Sequence, residues 1–305
     1  MSDYTLAVIG CGTMGVAILS GVFDSRQAVA ARGDLSSSVS SLADADDAAE
    51  LTRLPSRFLA CVARPESGRR LRKTFADAEG VEVFVSDNLR AARAADVVLL
   101  ACKPHMVADV LAEQGLREAL AGKLVCSICA GLRIEQMQAW LDPSTKVVRA
   151  MPNTPSKIRE GMTVLSTLNP KLPSYEDDRR VLLSIFSAVG RCRFLDEKHF
   201  DACTALAGSG PAFACVFLEA MADGGVMMGL PRKEALELAA QSMQGAARMV
   251  LQSGMHPAAI KDSVTTPGGC TIAGLLNLED GKVRSVVARS IEAAAVHAAG
   301  LGQKK

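Results

Sequence analysis

A glycine-rich turn close to the amino terminus is the feature that most constrains this chain. The segment Gly10-Cys11-Gly12-Thr13-Met14-Gly15 follows the apolar run AVI and opens a helical pattern, TMGVAILSGVF. In a strand-turn-helix unit the first glycine permits a tight turn, the second lets backbone N–H groups approach a pyrophosphate, and the third lets helix and strand pack closely. This context predicts a dinucleotide-binding turn, with a purely structural glycine turn as the alternative.

Short β-rich runs alternate with helical patterns over the first 150 residues. The runs are YTLAVI, RFLACVA, VEVFV, DVVLLA, KLVCSI and KVVRAM, and nearly all of their residues are apolar. Such alternation is typical of a parallel sheet with crossover helices, whose strands are covered on both faces. With one more strand from Thr163, a helix near residues 174–189 and a closing strand, residues 1–196 are predicted to form a doubly wound, Rossmann-like α/β domain.

Residues 32–56 depart from the short connections that are usual in such a domain. They include the segment SSSVSSLADADDAAE, rich in Ser, Ala and Asp. We interpret them as a solvated, mobile insertion before the second strand.

Residues 197–305 are predicted to be all-helical. Pro211, Pro231 and Pro257 each suit a first helical turn, and no strand pattern is evident. The segment PAFACVFLEAMADGGVMMG is apolar around much of the helix circumference, which requires burial on several sides. A domain of this size cannot easily supply that burial alone, so we predict an all-α dimerisation and substrate domain.

Composition narrows the functional class. With 305 residues, 49% hydrophobic and 22% charged, the chain is predicted to be globular, and its net charge of +1 favours small-molecule partners over nucleic acid or a membrane surface. No secretory signal is evident, and the apolar stretches are interrupted, for example at Glu219 and Asp223. The nine cysteines lie mostly in apolar contexts, which predicts free thiols in the cytoplasm.

The end of the second predicted strand bears on the choice between NADP(H) and NAD(H). NAD enzymes usually place an acid there, about 20 residues after the glycine turn, whereas this strand ends in Ala63-Arg64-Pro65-Glu66. Arg64, with Arg69 and Arg70 close behind, can hold a 2′-phosphate. NADP(H) is therefore preferred; NAD(H) stays open, because Glu66 can face the ribose.

Three further stretches lie where strands end or helices begin. They are ACKP at residues 101–104, AMPNTP at residues 150–155 and SVTTPGGCT at residues 263–271. Ligands of doubly wound sheets bind at the carboxyl ends of the strands, where the first two fall. In the third, Gly268 and Gly269 precede a helix and expose backbone N–H groups that suit a carboxylate, with a capped turn as the alternative.

Together these motifs resemble the pyrroline-5-carboxylate reductase family, which makes proline with NAD(P)H. The resemblance runs from GCGTMG through ACKP, AMPNTP, ALAGSGPAF and ADGGVMMGLPR to SVTTPGGCTIAGLLNLE, and leaves out only the insertion. It implies reduction of 1-pyrroline-5-carboxylate to L-proline, the last step of proline biosynthesis, by a homodimer or a ring of dimers. Ser263, where relatives often have Asn, and Cys270, where a smaller residue is usual, depart from the family pattern.

The resemblance also implies site residues by position, and no metal. The implied cofactor contacts are Ile9, Gly10, Cys11, Gly12, Thr13, Met14, Gly15, Arg64, Asn88, Ala101, Cys102, Lys103, Pro104, Cys129 and Ala130. The implied substrate contacts are Val264, Thr265, Thr266, Pro267, Gly268, Gly269, Cys270 and Thr271.

The chemistry fits these residues. A hydride passes to the imine carbon of a five-membered ring, and the basic imine can enter already protonated, so positioning should dominate over strong acid catalysis. We assign Thr271 as the catalytic residue, bonded to the imine nitrogen, and the backbone of residues 267–271 as the carboxylate clamp. The four histidines show no spacing for a metal or a catalytic relay and are interpreted as surface or capping residues.

Other reactive side chains have structural explanations. Cys126 and Cys129 resemble a CxxC pair, but residues three apart on a strand point to opposite faces, so a buried pair is the better interpretation. Lys103 is either a catalytic amine or part of a turn lining the nicotinamide pocket, and Glu219 and Asp223 suit capping or interface contacts better than catalysis.

Two rival functions remain at this stage. One is an NADP-dependent reductase of another small cyclic imine, and the other is a non-catalytic NADP-sensing scaffold. The scaffold would keep the glycine turn but would need neither Thr271 nor the anion clamp.

Overall fold

A computed structural model describes residues 4–32 and 53–300 of the chain. Its centre is one eight-stranded sheet in the order β3-β2-β1-β4-β5-β6-β7-β8. The strands are β1 (Thr5–Ile9), β2 (Arg57–Val62), β3 (Val81–Val85), β4 (Val97–Leu100), β5 (Leu124–Ser127), β6 (Lys146–Met151), β7 (Gly161–Ser166) and β8 (Gly190–Leu195).

All pairings in this sheet are parallel except β6 with β7, which is antiparallel. The strand order reverses beside β1, which places a crevice for a ligand at the carboxyl ends of β1 and β4. The Rossmann-like fold class is thereby confirmed, and each predicted apolar run contains a strand.

Helices cover both faces of the sheet. They are α1 (Thr13–Arg32), α2 (Pro65–Thr74), α3 (Asn88–Ala94), α4 (Val107–Leu111), α5 (Leu116–Leu120), α6 (Ile134–Gln138) and α7 (Tyr175–Ser187). Two buried apolar clusters form the core. Cys126 belongs to one cluster and Cys129 to the other, so these two cysteines do not form a site together.

Most of the predicted insertion, residues 33–52, lies outside the described residues. The described part of it packs against the sheet-bearing domain: Ser56 N donates to Tyr4 O at 3.0 Å. Arg53 N donates to Ser184 Oγ at 3.3 Å. The chain therefore enters β2 along a fixed path.

After β8 the described chain, up to residue 300, is helical. The helices are α8 (Phe200–Cys203), a π-turn (Thr204–Gly208), α9 (Gly210–Met227), α10 (Arg232–Ser253), α11 (Pro257–Ser263), α12 (Cys270–Asp280) and α13 (Val283–Gly300). Pro211 and Pro257 lie in first turns, whereas Pro231 is the N-cap of α10.

The chain divides into two compact units, of which one is Ser209–Ala294 and the other contains the sheet. The predicted domain boundary at residues 196/197 remains a prediction.

Candidate functional site

Hydrogen bonds to β2 fix the backbone conformation of the glycine turn. Gly10 has a φ of +79°, and a Cβ at this position would lie 2.6 Å from the backbone of Cys102. Gly10 N and Cys11 N both donate to Cys61 O, at 3.1 and 2.8 Å. Only glycine fits this backbone without strain.

The other two glycines of the turn differ in their surroundings. A Cβ at Gly15 would lie 3.0 Å from Val8 Cγ1 and 3.3 Å from Cys11 Sγ, so Gly15 allows α1 to pack closely on β1. A Cβ at Gly12 would approach no protein atom closer than 3.8 Å. The space beside Gly12, at the amino end of α1, is open to a ligand, and a helix amino terminus favours an anion. These surroundings fit a dinucleotide pyrophosphate.

Basic side chains follow β2. Arg64 is the exposed N-cap residue of α2, and Glu66 lies exposed in the first turn of the same helix. Burial raises the pKa of Cys11 to about 12, against a smaller lowering by the positive charge of Arg70. The charge of Arg70 therefore acts on Cys11 in the glycine turn.

The ends of β4 and β5 join the same edge of the sheet. Ala101 N donates to Ile9 O at 2.8 Å. The Cys129 thiol donates to Cys102 O at 3.2 Å. A hydrogen bond between the Cys102 and Cys129 thiols lowers the pKa of Cys129 and raises that of Cys102, burial adding to the rise. All of the predicted cofactor residues, including Lys103, Pro104 and Ala130, lie at or just beyond the carboxyl ends of β1 to β5.

Asn88, at the start of α3, has a partner that the sequence did not reveal. Its Nδ2 donates to Glu113 Oε1 at 2.7 Å, across 25 residues of sequence. No motif marks Glu113, because its role depends on the return of the chain after α4. Among the residues that the structure describes, no group of three or more His, Cys, Asp or Glu could hold a metal ion.

The predicted substrate residues lie in the other compact unit, between α11 and the first turn of α12. Gly268 has a φ of +69°, and Gly269 is the N-cap of α12 with an extended backbone. Gly269 N donates to Thr266 O at 3.1 Å. A Cβ at Gly269 would lie 2.5 Å from Thr266 Oγ1. Thr271 is half-buried in the first turn of α12, where backbone N–H groups lack intrahelical acceptors.

Two other predicted roles can be placed. His256 caps α11, since its Nδ1 accepts from Ala258 N at 3.2 Å. Asp223 pairs with Arg232 at 2.5 Å on the surface.

The two positions that depart from the family pattern lie on either side of the predicted substrate residues. Cys270 is exposed at the start of α12, and the Ser263 hydroxyl donates to Ile260 O at 2.7 Å. The Ser263 hydroxyl is thus engaged within its own helix.

The helices of the unit Ser209–Ala294 expose many large apolar side chains in the single chain. Leu238 is 57% exposed and Leu251 is 54% exposed. Glu197–Met227 is long and apolar enough to cross a membrane by length and composition, with 11% of the window buried. Glu219 and Asp223 lie within this segment, and length and composition alone are weak evidence for a membrane span. Apolar surface of this extent requires a partner.

Known proteins resemble this chain over nearly its whole length. The family described as "Pyrroline-5-carboxylate reductase dimerisation" matches residues 197–301. The family described as "NADP oxidoreductase coenzyme F420-dependent" matches residues 5–131. The pyrroline-5-carboxylate reductase of Schizosaccharomyces pombe is 47% identical over 97% of this chain and 98% of its own length. That of Lophium arboricola is 47% identical over 99% of this chain and 94% of its own.

Solved structures agree with these sequence relatives. A pyrroline-5-carboxylate reductase from Coxiella burnetii aligns with a TM-score of 0.80 at 28% identity, over 99% of this chain and 100% of that protein. A pyrroline carboxylate reductase from Plasmodium falciparum, solved with NADP bound, aligns with a TM-score of 0.75 at 27% identity, over 99% and 100% of the two chains.

Proposed function

Because the chain belongs to the pyrroline-5-carboxylate reductase family, we infer that it is an NADPH-dependent oxidoreductase that converts 1-pyrroline-5-carboxylate into L-proline, the last step of proline biosynthesis. The observation that carries this function is the 47% identity to a pyrroline-5-carboxylate reductase across both compact units. NADPH, when bound, supplies the hydride that reduces the imine carbon.

The described residues suit the cofactor. The glycine turn presents backbone N–H groups at the amino end of α1, and the open space at Gly12 leaves room for the pyrophosphate. Residues 101–104 and 129–130 lie at the neighbouring strand ends and would line the nicotinamide side of the site. Glu113 would hold Asn88 in position through its hydrogen bond.

The substrate would be held by the start of α12. Gly268, Cys270 and Thr271 would offer backbone N–H groups to the substrate carboxylate, and the amino terminus of a helix favours negative charge. The N–H groups of Val264, Thr265 and Gly269 already donate within the protein. The Thr271 hydroxyl would bond the ring nitrogen and carry its proton. An imine is basic enough to be protonated without a strong acid, so orientation supplies most of the catalysis.

The direct test is an absorbance assay. We expect NADPH oxidation that depends on pyrroline-5-carboxylate and yields proline, and slower oxidation with NADH. Oxidation of neither cofactor would contradict the proposed function. Turnover of other cyclic imines at equal rates would favour the broader imine reductase.

Arg64 is expected to select NADPH. Replacing it by alanine removes a charge-assisted bond to the 2′-phosphate, so the KM for NADPH should rise roughly tenfold while the KM for NADH changes by less than about twofold. Steady-state kinetics with both cofactors checks this. Lys73→Ala removes an equal charge from the last turn of α2 and serves as the matched control. Equal rises for NADPH and NADH would exclude Arg64 from 2′-phosphate recognition.

We propose that the protein forms a homodimer, or a ring of dimers, in the cytoplasm. In this assembly the apolar helices are buried between subunits and do not contact a membrane. The support is the match to the family's dimerisation region and the exposed side chains of α10. Light scattering after size-exclusion chromatography, without detergent, should give at least twice the mass of one chain. Leu238→Glu should shift the protein to smaller species, whereas the neighbouring Glu237→Ala should not. A monomeric wild type, or recovery with membranes, would contradict this assembly.

A further inference from the structure

Two cysteine side chains lie next to each other where β4 and β5 end. These strands pair in parallel, with Leu100 opposite Ser127. Cys102 and Cys129 each follow two residues later, and the ladder continues between them, since Ile128 N donates to Leu100 O at 2.9 Å. Side chains two residues apart along a strand share one face. Both cysteines accordingly pack in the same buried apolar cluster.

The separation of these two cysteines suits a disulfide. Neighbouring strands lie about 4.7 to 4.9 Å apart, and disulfides join residues whose Cα atoms are about 4.4 to 6.8 Å apart. The sulfur of Cys129 is directed at Cys102, because Cys129 Sγ lies 3.2 Å from Cys102 O. The two thiols also form a hydrogen bond with each other. A bond between the two sulfurs therefore needs little movement of the backbone.

The thiol of Cys129 differs electrostatically from the other buried thiols of the sheet. Burial raises the pKa of Cys61 to about 12, and it also raises the pKa of Cys126. The hydrogen bond with the Cys102 thiol instead lowers the pKa of Cys129. Thiolates, and not thiols, react with oxidants. Cys129 is 5% exposed, and Cys102 beside it is half-buried, so a small oxidant reaches the pair from the cofactor edge.

We propose that Cys102 and Cys129 form an oxidisable dithiol, a modification site at which a peroxide produces a reversible disulfide when the cofactor site is empty. The disulfide itself follows from the geometry of the two strands. Its dependence on the cofactor rests on the proposed function, in which residues 101–104 and 129–130 line the nicotinamide side of the NADPH site.

The oxidation consumes two thiols and one hydrogen peroxide. The Cys129 thiolate attacks one peroxide oxygen, the O–O bond breaks, and Cys129 becomes a sulfenic acid while the released hydroxide takes up a proton and becomes water. The Cys102 sulfur then attacks the Cys129 sulfur, the S–O bond breaks, and a second water leaves with the Cys102 proton. Two electrons pass from the sulfurs to the peroxide, and a dithiol reductant reverses the change.

The disulfide should weaken NADPH binding, because Cys102 supports the glycine turn. A Cβ at Gly10 would lie 2.6 Å from the N, Cα and Cβ atoms of Cys102, so the turn packs directly on this residue. A disulfide holds its two Cβ atoms about 3.8 Å apart, which is closer than the spacing of neighbouring strands. Cys102 is thereby drawn toward β5 and away from its place under the turn.

The first test maps the bond by mass spectrometry. The reduced full-length protein is treated with a few molar equivalents of hydrogen peroxide, its remaining thiols are blocked, and it is digested with trypsin without reductant. We expect a disulfide between the peptides 94–117 and 124–133, assigned by fragmentation to Cys102 and Cys129 and removed by dithiothreitol. NADPH bound before the peroxide is added should slow its formation.

The matched control is Cys126→Ala. Cys126 lies in the same tryptic peptide as Cys129 but packs in the other buried cluster. This variant should form the disulfide as the wild type does, whereas Cys102→Ser and Cys129→Ser should each lose it. A bond to Cys126, or bonds between chains through exposed cysteines in place of the expected one, would overturn the proposal.

The second test measures the coupling to the cofactor. Fluorescence titration of the wild type should give a Kd for NADPH about tenfold higher in the oxidised than in the reduced protein, and dithiothreitol should restore the lower value. Linkage is reciprocal, so saturating NADPH should raise the reduction potential of the pair by about 30 mV in a glutathione titration, which corresponds to tenfold for two electrons.

Equal affinities in the two redox states, or a potential that NADPH does not shift, would overturn the coupling to the cofactor. A wild-type enzyme that does not oxidise NADPH with pyrroline-5-carboxylate would overturn the proposed function, while the mapped disulfide would still decide whether the dithiol exists.

Discussion

Replacing Thr271 by alanine is expected to lower kcat for pyrroline-5-carboxylate at least about tenfold, because the hydroxyl orients the protonated imine for hydride transfer and a misplacement of about 1 Å can cost roughly 100-fold in rate. Thr271 lies in the first turn of α12, where Gly269 and not Thr271 is the N-cap. The substitution therefore removes the hydroxyl without removing the helix cap. Stopped-flow measurement of NADPH oxidation separates the chemical step from product release.

Thr271→Ser is the matched control, because it keeps the hydroxyl and loses a methyl group. We expect it to retain most of the activity, and we expect both variants to bind NADPH as the wild type does. Full activity in Thr271→Ala would remove Thr271 from the mechanism. A loss of NADPH binding in Thr271→Ala would show that the substitution acts through the fold and not through the imine nitrogen.

Replacing Gly12 by valine is expected to raise the Kd for NADPH by about tenfold or more, since a branched side chain fills the space that the pyrophosphate needs. The protein itself should tolerate the change, because a Cβ at Gly12 approaches no other atom closer than 3.8 Å. Fluorescence titration gives the affinity, and thermal unfolding without cofactor should give a Tm within a few degrees of wild type, about the shift caused by 1 kcal/mol.

Gly10→Ala provides the contrast. Its Cβ would lie 2.6 Å from the backbone of Cys102, and its φ of +79° is unfavourable for alanine. This variant should lose stability with or without NADPH, so Tm falls together with affinity. If Gly12→Val lowered Tm as much as Gly10→Ala, the space beside Gly12 would be part of the protein core and not a ligand site.

The sequence predicted the inner strands β1, β4 and β5 well because each is a short apolar run covered on both faces. The direction of β7 could not be predicted in the same way. Apolar composition carries no information on direction, and the antiparallel pairing with β6 follows from a connection of nine residues that is too short for a crossover helix. The fold class could therefore be predicted from the sequence, but the antiparallel step within the sheet could not.

The candidate functional site likewise has parts that could be predicted from the sequence and parts that could not. The glycine turn was predictable because each of its three glycines, at fixed spacing, is required for a separate steric reason. The structure shows two of these reasons directly, at Gly10 and Gly15. The partner of Asn88, Glu113, was not predictable, because the chain brings these two residues together only after several elements have folded. Likewise Cys129 contacts Cys102 and not its sequence neighbour Cys126.

Gly10 N and Cys11 N share one acceptor, the carbonyl oxygen of Cys61. This has a consequence for folding during synthesis on the ribosome. A nascent chain that has emerged through residue 32 contains every glycine of the GxGxxG motif but not the carbonyl that Gly10 and Cys11 bond. The motif can adopt its bound shape only after β2 has been made and paired with β1. Lengthening the intervening segment should delay this step slightly, since each doubling of a loop costs only about 0.6 kcal/mol in closure entropy. Affinity for the dinucleotide should thus appear abruptly with nascent-chain length, once β2 has left the exit tunnel.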